Sequence, residues 1–502
     1  MARKTIRNIP QERAFMPVQD PAERAHNFSE VALGFDEENA LLESERCLMC
    51  PEPACVAACP VSIDIPGFIA KLVKKDYRGA YDLMTESTQL PAVCGRVCPQ
   101  EDQCEGVCAV AVNGTLEPVA IGRLERWLGD KAIAEHWKKT SYIEPNRFRI
   151  GVVGSGPASM ACAGDLAKAG CSVTIFEALH APGGVLRYGI PEFRLPNSVV
   201  DAEIANLEAL GVEFKCNTLV GRLFTIEQML GEMGFDAVFV GVGAGTPRFM
   251  DIPGENLNGV LSANELLTRC NLMHAGDFPN YDTPLGIGKR VAVIGAGNTA
   301  MDAMRVSLRL GAEEVHCVYR RTDAECPARA EELHHAQEEG IEFHWLTAPV
   351  ELLGDADNNV RTIRCIRMEL GEPDSSGRRR PVPMEGSEFD FAADTVVYAI
   401  GTDPNPILGQ TSKLKLNKWS YIETDEDLAT SLAGVYAGGD IVTGAATVIL
   451  AMGAGRRAAA SIRRYLGIRD SAVVYEPERT GFENTLFGID LAERNFTHVR
   501  LV

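Results

Sequence analysis

Eight cysteines fall in one stretch of the chain, as Cys47-x2-Cys50-x4-Cys55-x3-Cys59-Pro60 and Cys94-x3-Cys98-Pro99-x4-Cys104-x3-Cys108. The other seven are scattered singly from Cys162 to Cys365. Thiolate sulfur is the soft donor that iron–sulfur clusters require. Ferredoxin-type runs likewise end in Cys-x3-Cys-Pro, with the last cysteine serving the other cluster of a pair. Structural zinc takes two tight cysteine pairs, and Cys47/Cys50 is the one tight pair here. A disulfide scaffold would be a short secreted chain. Eight thiols suffice by count for two all-cysteine clusters. Interleaving is expected, because Cys59 is followed by proline and cannot easily close on the cluster of Cys47, Cys50 and Cys55. Spacing leaves open which later cysteine completes which cluster. The seven scattered cysteines lie in apolar segments and read mostly as core.

Two further stretches carry glycine turns of the kind that cradle phosphates. Arg149-Ile-Gly-Val-Val-Gly154 leads into Ser-Gly156-Pro-Ala-Ser159, and Arg290-Val-Ala-Val-Ile-Gly295 into Ala-Gly297-Asn298-Thr299-Ala300. In each, the first glycine makes the tight turn and the second lets a pyrophosphate approach the backbone at a helix N-terminus. Ser159 and Ala300 hold the third position, which needs only a small residue. The units differ at the end of the next strand. Glu177 follows the first, where a carboxylate accepts ribose hydroxyls. Tyr319-Arg320-Arg321-Thr322 follows the second, with no carboxylate. An acid would repel a 2′-phosphate and guanidiniums would clamp it, so the second site should prefer NADPH to NADH. The alternative is a surface ion pair of Arg320 and Arg321 with Glu331 or Glu332. The late segment Ala437-Gly-Gly439-Asp440 suits a ribityl chain and pyrophosphate. Thr447-Val448 opens a helix whose amides could face a flavin ring, so the first site is assigned FAD.

Positioning these turns requires parallel sheets. Each turn lies between a buried β run and a small-residue helix, with a second strand after it at 172–177 or 315–320. This βαβ grammar places helices on both sheet faces. Further apolar strands ending in glycine are expected at 237–241, 395–401 and 434–438. The order of first turn, second turn and Gly-Gly-Asp return implies that one nucleotide domain interrupts the other. Upstream, 66–76 and about 118–134 read as helices, the latter with Ile121, Leu124 and Leu128 on one face and Glu125 on a neighbouring one. Residues 143–147 read as a linker, and 374–381 as a hairpin turn or exposed loop whose three arginines form a solvated tip. The 502 residues, 46% of them apolar, suffice for three domains. The expected boundaries are 1–146 for the cluster domain, 147–287 with 392–502 for a discontinuous FAD domain, and 288–391 for the NADPH domain.

Acidic residues outnumber basic ones by 69 to 49, a net charge of −20, so the basic footprint of a nucleic-acid binder is absent. No twenty-residue apolar run exists. The best candidate, 444–455, is flanked by Asp440 and by Arg456–Arg457 and is too short to span a bilayer. The first residues, Met-Ala-Arg-Lys-Thr-Ile-Arg, carry charge with no hydrophobic region after them. A cytoplasmic protein with no membrane span and no nucleic-acid partner is expected.

Together these residues resemble the small (β) subunit of NADPH-dependent glutamate synthase and its relatives. Those include the large subunit of electron-bifurcating NADH-dependent ferredoxin:NADP oxidoreductase, sulfide dehydrogenase, and the N-terminal half of dihydropyrimidine dehydrogenase. The resemblance covers nearly the whole chain. Besides the cysteines it rests on Leu90-Pro-Ala-Val-Cys-Gly-Arg-Val-Cys-Pro-Gln100, Cys104-Glu-Gly-x-Cys108, Ile121-Gly-Arg-Leu-Glu125, Pro182-Gly-Gly-Val-Leu-Arg-Tyr-Gly-Ile-Pro191 and Ala437-Gly-Gly-Asp440. It implies an α/β protein. A helical iron–sulfur domain precedes two Rossmann-like domains in the glutathione-reductase-like FAD/NADP arrangement.

The resemblance further implies two 4Fe–4S clusters. Cys47, Cys50, Cys55 and Cys108 would hold one; Cys59, Cys98 and Cys104 would hold the other, with Glu125 matching the position of its fourth ligand. Cys94 would be a bystander. The alternative for Glu125 is a helix-surface pair with a nearby arginine. Gly184 and Arg187 join the FAD contacts on the same ground. Where relatives often show Ala-Thr-Gly, this chain has Gly241-Val-Gly243-Ala-Gly245.

Hydride transfer needs no acid or nucleophile from the protein, so no catalytic side chain is expected. His334 and His335, on a charged helix, read as solvated. Glutamate formation is not expected of this chain alone: residue 2 is Ala, the first cysteine is Cys47, and no length remains for an FMN barrel. The expectation is an NADPH-oxidising electron-input subunit of a hetero-oligomer. Its partner would be a glutamate synthase large subunit, or a small flavin and 2Fe–2S chain in the bifurcating alternative.

Overall fold

Aspartates begin the helices that carry the cysteine region. In the computed structural model, helices α1 (Glu37–Glu45), α2 (Ile65–Val73) and α3 (Tyr77–Ser87) follow Asp36, Asp64 and Asp76. Each carboxylate accepts a backbone N–H from the first turn, satisfying one of the donors a helix start leaves unpaired. Helices α4 (Pro91–Val97) and α5 (Ile121–Ala134) complete the set. The structure describes residues 5–112, 114–138, 145–373 and 378–468, and the backbone of Thr485–Leu486 and Ile489–Asp490. The chain divides into two compact units, one holding Leu33–Lys139 and the other Val18–Ala32 with Thr140–Leu466.

In the first unit, α4 and α5 approach backbone to backbone. A Cβ on Gly95 would collide with the Arg126 backbone, and one on Gly129 would lie 2.8 Å from Ala92 Cα. A buried pair just before Cys47 fixes the surrounding loops. Glu43 accepts from the backbone of Ala14 and Ala120 at 2.7 Å each, while Arg46 donates to the carbonyls of Pro10, Glu117 and Pro118. The start of α5 is therefore tied to the helix that delivers the first cysteines.

The second unit contains two five-stranded parallel sheets. Strands β1 (Arg149–Val153), β2 (Ser172–Phe176), β3 (Glu213–Lys215) and β4 (Ala237–Val240) join the late strand 435–437 in one of them. After β5 (Thr246–Pro247), strands β6 (Val260–Ser262), β7 (Arg290–Ile294), β8 (Glu314–Val318) and β9 (Glu342–His344) enter the second. An antiparallel insert follows, of β10 (Thr347–Gly354), β11 (Val360–Pro373), β12 (Arg379–Pro383) and β13 (Phe389–Ala392). The chain then passes through β14 (Thr395–Tyr398) and β15 (Thr402–Asp403) to β16 (Val435–Ala437). The sheet orders are β16-β4-β1-β2-β3 and β6-β14-β7-β8-β9.

The sheets relocate both exchange points expected at 287/288 and 391/392. β14 lies between β6 and β7 in the second sheet, so the crossing lies before Val260 on entry and after Tyr398 on return. The antiparallel pair β5–β15 carries the two crossing segments side by side. Strand partners decide this, and local sequence does not name them. Helix α6 (Pro157–Lys168) follows the first turn, and α7 (Asn298–Arg309) the second. Beyond them lie α8 (Ala330–Glu338) and α9 (Val448–Tyr465). The expected hairpin around 374–381 is present as β11–β12, with Pro373 opposite Arg379; residues 374–377 lie outside the described ones. Residues 143 and 144 of the expected linker also lie outside them. Val18–Ala32, expected in the cluster domain, packs within the second unit. There Val31 N donates to Phe193 O at 2.9 Å and the rings of Phe28 and Phe193 lie 6.5 Å apart.

Candidate redox-cofactor sites

The first unit gathers its eight cysteines, all free thiols, around the ends of short helices. Burial pushes the Cys55 thiol up to about 12, and like charge on Cys47, Cys108 and Cys50 raises it further. Burial likewise takes Cys50 to about 11, with Cys108 adding to it. These four face one another. A second group stands beside them. Burial raises Cys59 to about 11, and Glu125 contributes. Cys98 is raised by its hydrogen bond with Cys94, by burial, and by the charges of Glu125 and Cys104. Cys104 is raised by burial and by Glu105, Glu125, Cys59 and also Cys55 of the first group. Thiols crowded in this way are hard to ionise alone. A bound cation that shares the charge removes the penalty.

Glu125 lies 6% exposed on α5, so it is buried rather than on the helix surface. Its negative charge helps to raise the thiols of Cys59, Cys98 and Cys104. Cys94, fully buried on α4, faces Thr88 Oγ1 at 3.7 Å as well as Cys98. The donor chemistry of both groups fits iron–sulfur clusters: seven thiols of the two sets and one buried carboxylate, all on one helical scaffold.

In the second unit the first glycine turn is held from three sides. Gly154 has φ +87°, and a Cβ there would lie 2.8 Å from Gly241 O. Glu177, at the end of β2, accepts from Ser155 N at 2.9 Å, from its hydroxyl at 2.5 Å, and from Leu179 N at 2.9 Å. The Ser155 hydroxyl accepts from Gly183 N, bringing in the Pro182-Gly-Gly loop, where a Cβ on Gly184 would lie 2.7 Å from Gly156 Cα. Ser159 is fully buried, with its hydroxyl 3.4 Å from Gly241 O.

Gly439 and Asp440 reach the same turn from the far end of the chain, with Gly439 at φ +77° against Ala158. Burial lifts Asp440 to about 6. Tyr188, half-buried, is raised to about 12 by desolvation, and Glu177 and Asp440 both contribute. Thr447 caps α9 by accepting from Leu450 N, with Val448 the first residue of the helix. Arg187 is the outlier of the expected flavin set: its guanidinium pairs with Asp201 and donates to Pro182 O.

The second turn repeats the backbone. Gly295 has φ +122°, and a Cβ there would collide with Ala399 O. At the middle glycines the space is open: a Cβ would meet nothing closer than 3.9 Å at Gly156 or 4.0 Å at Gly297. That is the clearance a pyrophosphate needs, so both cradles fit a dinucleotide. Thr299 is exposed on the first turn of α7. Asn298 instead accepts from Arg329 N at 3.0 Å, fastening the next loop to the turn.

The two arginines after β8 part company. Arg320 is exposed, whereas Arg321 is 5% exposed and donates to Arg379 O at 2.8 Å. Glu331 and Glu332 pair with Arg329, Arg194 and Arg305. The hairpin is thereby brought to the strand end: burial raises the Tyr319 phenol, and Arg321 and Arg378 both pull it back. Arg329, Arg378 and Arg379 were not among the expected site residues. The run of arginines at 378–380 was the available signal, but only the pairing of Arg321 with the hairpin gives it a place. His335 also departs from expectation: it is buried among the ion pairs of α8, while His334 is exposed.

Residues 24–137 match the family described as dihydropyrimidine dehydrogenase domain II, 4Fe-4S cluster, and residues 148–455 match pyridine nucleotide-disulphide oxidoreductase. The glutamate synthase [NADPH] small chain of Azospirillum brasilense is 36% identical, over 91% of this chain and 96% of that one. The oxidoreductase UacF of Escherichia coli is 38% identical, over 87% of this chain and 69% of its own. Among solved structures, Mycobacterium tuberculosis FprA in complex with NADPH has a TM-score of 0.54 at 23% identity, covering 64% of this chain and 85% of that one. That likeness extends to the fold. No helix among the described residues is long and apolar enough to cross a membrane.

Proposed function

The chain belongs to the glutamate synthase small chain family of NADPH-dependent flavin oxidoreductases with a 4Fe–4S domain, and from that premise we propose that it is the electron-input subunit of a glutamate synthase. FAD lies at the Gly154 turn, with Gly156, Ser159, Glu177, Gly184, Gly439, Asp440, Thr447 and Val448 around it. NADPH lies at the Gly295 turn, with Gly297, Asn298, Thr299 and Arg320. Arg321 positions the hairpin rather than touching phosphate, and Arg187 positions the 182–184 loop. Cys47, Cys50, Cys55 and Cys108 hold one 4Fe–4S cluster. Cys59, Cys98, Cys104 and Glu125 hold a second.

When bound, these groups supply the chemistry: an electron pair enters as hydride from NADPH to the flavin and leaves singly through the clusters to a partner chain. The protein's own contribution is placement. Glu177 orients the turn and accepts ribose hydroxyls. The open faces of Gly156 and Gly297 admit phosphates, and the thiols with Glu125 supply the metal ligands.

The observation that carries this reading is the crowding of the cysteines of the first unit, with Glu125 buried on α5 and its charge acting on Cys59, Cys98 and Cys104. Purified under anaerobic conditions, the protein should carry about eight irons per flavin, the sum of two four-iron clusters. Native purification should bring down a large glutamine-hydrolysing chain. Four irons per flavin would overturn the second cluster. Recovery of a small flavin and 2Fe–2S chain would overturn the glutamate synthase assignment.

A further inference from the structure

Three side chains on the edge of the second sheet converge with no role in the reading above. Parallel register sets His316 of β8 opposite Glu342 of β9, and Val318 opposite His344, so all three side chains project from one face. His344 Nε2 lies 3.1 Å from His316 Nδ1, and Glu342 Oε2 lies 3.3 Å from the same nitrogen. All three ligand atoms lie within 4.8 Å of one another. One imidazole nitrogen thus meets both a second imidazole and a carboxylate. A neutral ring has at most one proton there and can serve only one of them. A cation at the centre serves all three lone pairs. Tetrahedral zinc with bonds near 2.0–2.1 Å separates its ligand atoms by about 3.3 Å, close to the 3.1 and 3.3 Å that separate His316 Nδ1 from its two neighbours.

The surroundings favour the same arrangement. Phe391 stacks on His344 at 5.1 Å and stands edge-on to His316 at 5.7 Å, fixing both rings. Glu314 Oε2 lies 3.7 Å from the other nitrogen of His316, where an outer carboxylate selects the tautomer of a metal-binding histidine. Glu342 and Glu314 are exposed, leaving an open side for entry and for a water ligand. The opposing charge is Arg367. It is itself engaged over the Phe389 ring at 4.1 Å and donates to Thr347 Oγ1 at 3.3 Å.

We propose that His316, Glu342 and His344 form a binding site for a borderline divalent cation of the zinc class, distinct from the iron–sulfur centres. Two imidazoles and one carboxylate are the donor set such ions favour. The ion would clip the three-residue edge strand β9 to β8, whose next residues are Tyr319 and Arg320.

Equilibrium dialysis of the cluster-loaded, flavin-loaded protein against zinc, followed by elemental analysis, tests the site. Wild type should retain about one zinc per chain beyond that retained by His316→Gln/His344→Gln, with iron and flavin unchanged in both. Zinc should raise the melting temperature of wild type and not of the variant, since an ion that binds only the folded state stabilises it. Should the double variant fold poorly, Glu342→Gln at an exposed position should weaken zinc binding about tenfold, about 1.4 kcal/mol. Equal zinc retention in wild type and the variants, or none in wild type, would overturn the proposal. Neither result bears on the iron-to-flavin ratio that tests the proposed function.

Discussion

Gly154 and Gly295 open the same turn after the same kind of strand, yet the helices that follow are anchored by different means. Helix α6 docks through small residues. A Cβ on Gly455 of α9 would collide with Ala158 O, so the two helices touch along their backbones. Helix α7 packs Met301, Met304 and Val306 in the core and adds a buried ionic network that α6 lacks on this scale. Arg305 and Arg309 donate to Glu339, which also receives Arg24, while Arg305 reaches Glu332 at 2.5 Å. Arg194 bridges Asp302 at 2.8 Å and Glu332 at 3.2 Å. A pyrophosphate cradle therefore specifies a turn and a helix start, and leaves the means of anchoring the helix free. Close packing tolerates no added atom, whereas an ionic anchor tolerates no lost partner.

The largest effect should come from breaking the ionic anchor. Glu339→Gln leaves three guanidiniums around an uncharged amide, and removing one partner of a buried pair costs about 3–5 kcal/mol. Denaturant unfolding should show that loss. Acid should act in the same direction. Burial alone would raise Glu332 and Glu339, but their arginine neighbours prevail and hold both near 2. With folded values below the ordinary 4.5, their stabilisation is full above about pH 4.5 and is lost as pH falls toward 2. Unfolding measured between pH 5 and pH 3 (roughly the window in which such carboxylates titrate) should show a slope that Glu339→Gln reduces.

Next in size is Glu177→Gln. It exchanges charge-assisted acceptance from Ser155 and Leu179 for an amide, about 1.5–3 kcal/mol. Flavin should bind about 10- to 100-fold more weakly on that scale, with the Michaelis constant for NADPH unchanged. Gly455→Ala, which overpacks α6 against α9, should cost about 1–3 kcal/mol in unfolding. An effect on NADPH binding from either would erase the distinction between the two turns.

Much of this was legible in advance where chemistry is local. The cysteine spacing, the paired glycine turns, the acid ending β2 and the Gly-Gly-Asp return are each read from a few adjacent residues. Glu125 was placed on α5 by helical spacing, but its burial depends on Gly95 and Gly129 admitting the neighbouring helix. What sequence could not supply depends on distant partners. The strand 395–398 gives no sign of which sheet it joins. His335 sits in a helix whose composition reads as solvated, and its burial follows from arginines on α7 and on the 18–32 segment. Arg320 and Arg321 are neighbours with opposite fates, because only a hairpin nearly sixty residues away uses one of them.

On the proposed function, the second turn, and not the first, receives the reduced nucleotide, with Arg320 at its 2′-phosphate. The most direct test is anaerobic flavin bleaching by NADPH and NADH in wild type and Arg320→Gln. Wild type should favour NADPH, and the variant should lose about tenfold of that preference, about 1.4 kcal/mol, at unchanged flavin content. Equal bleaching of wild type by NADH, or an undiminished preference in the variant, would contradict it.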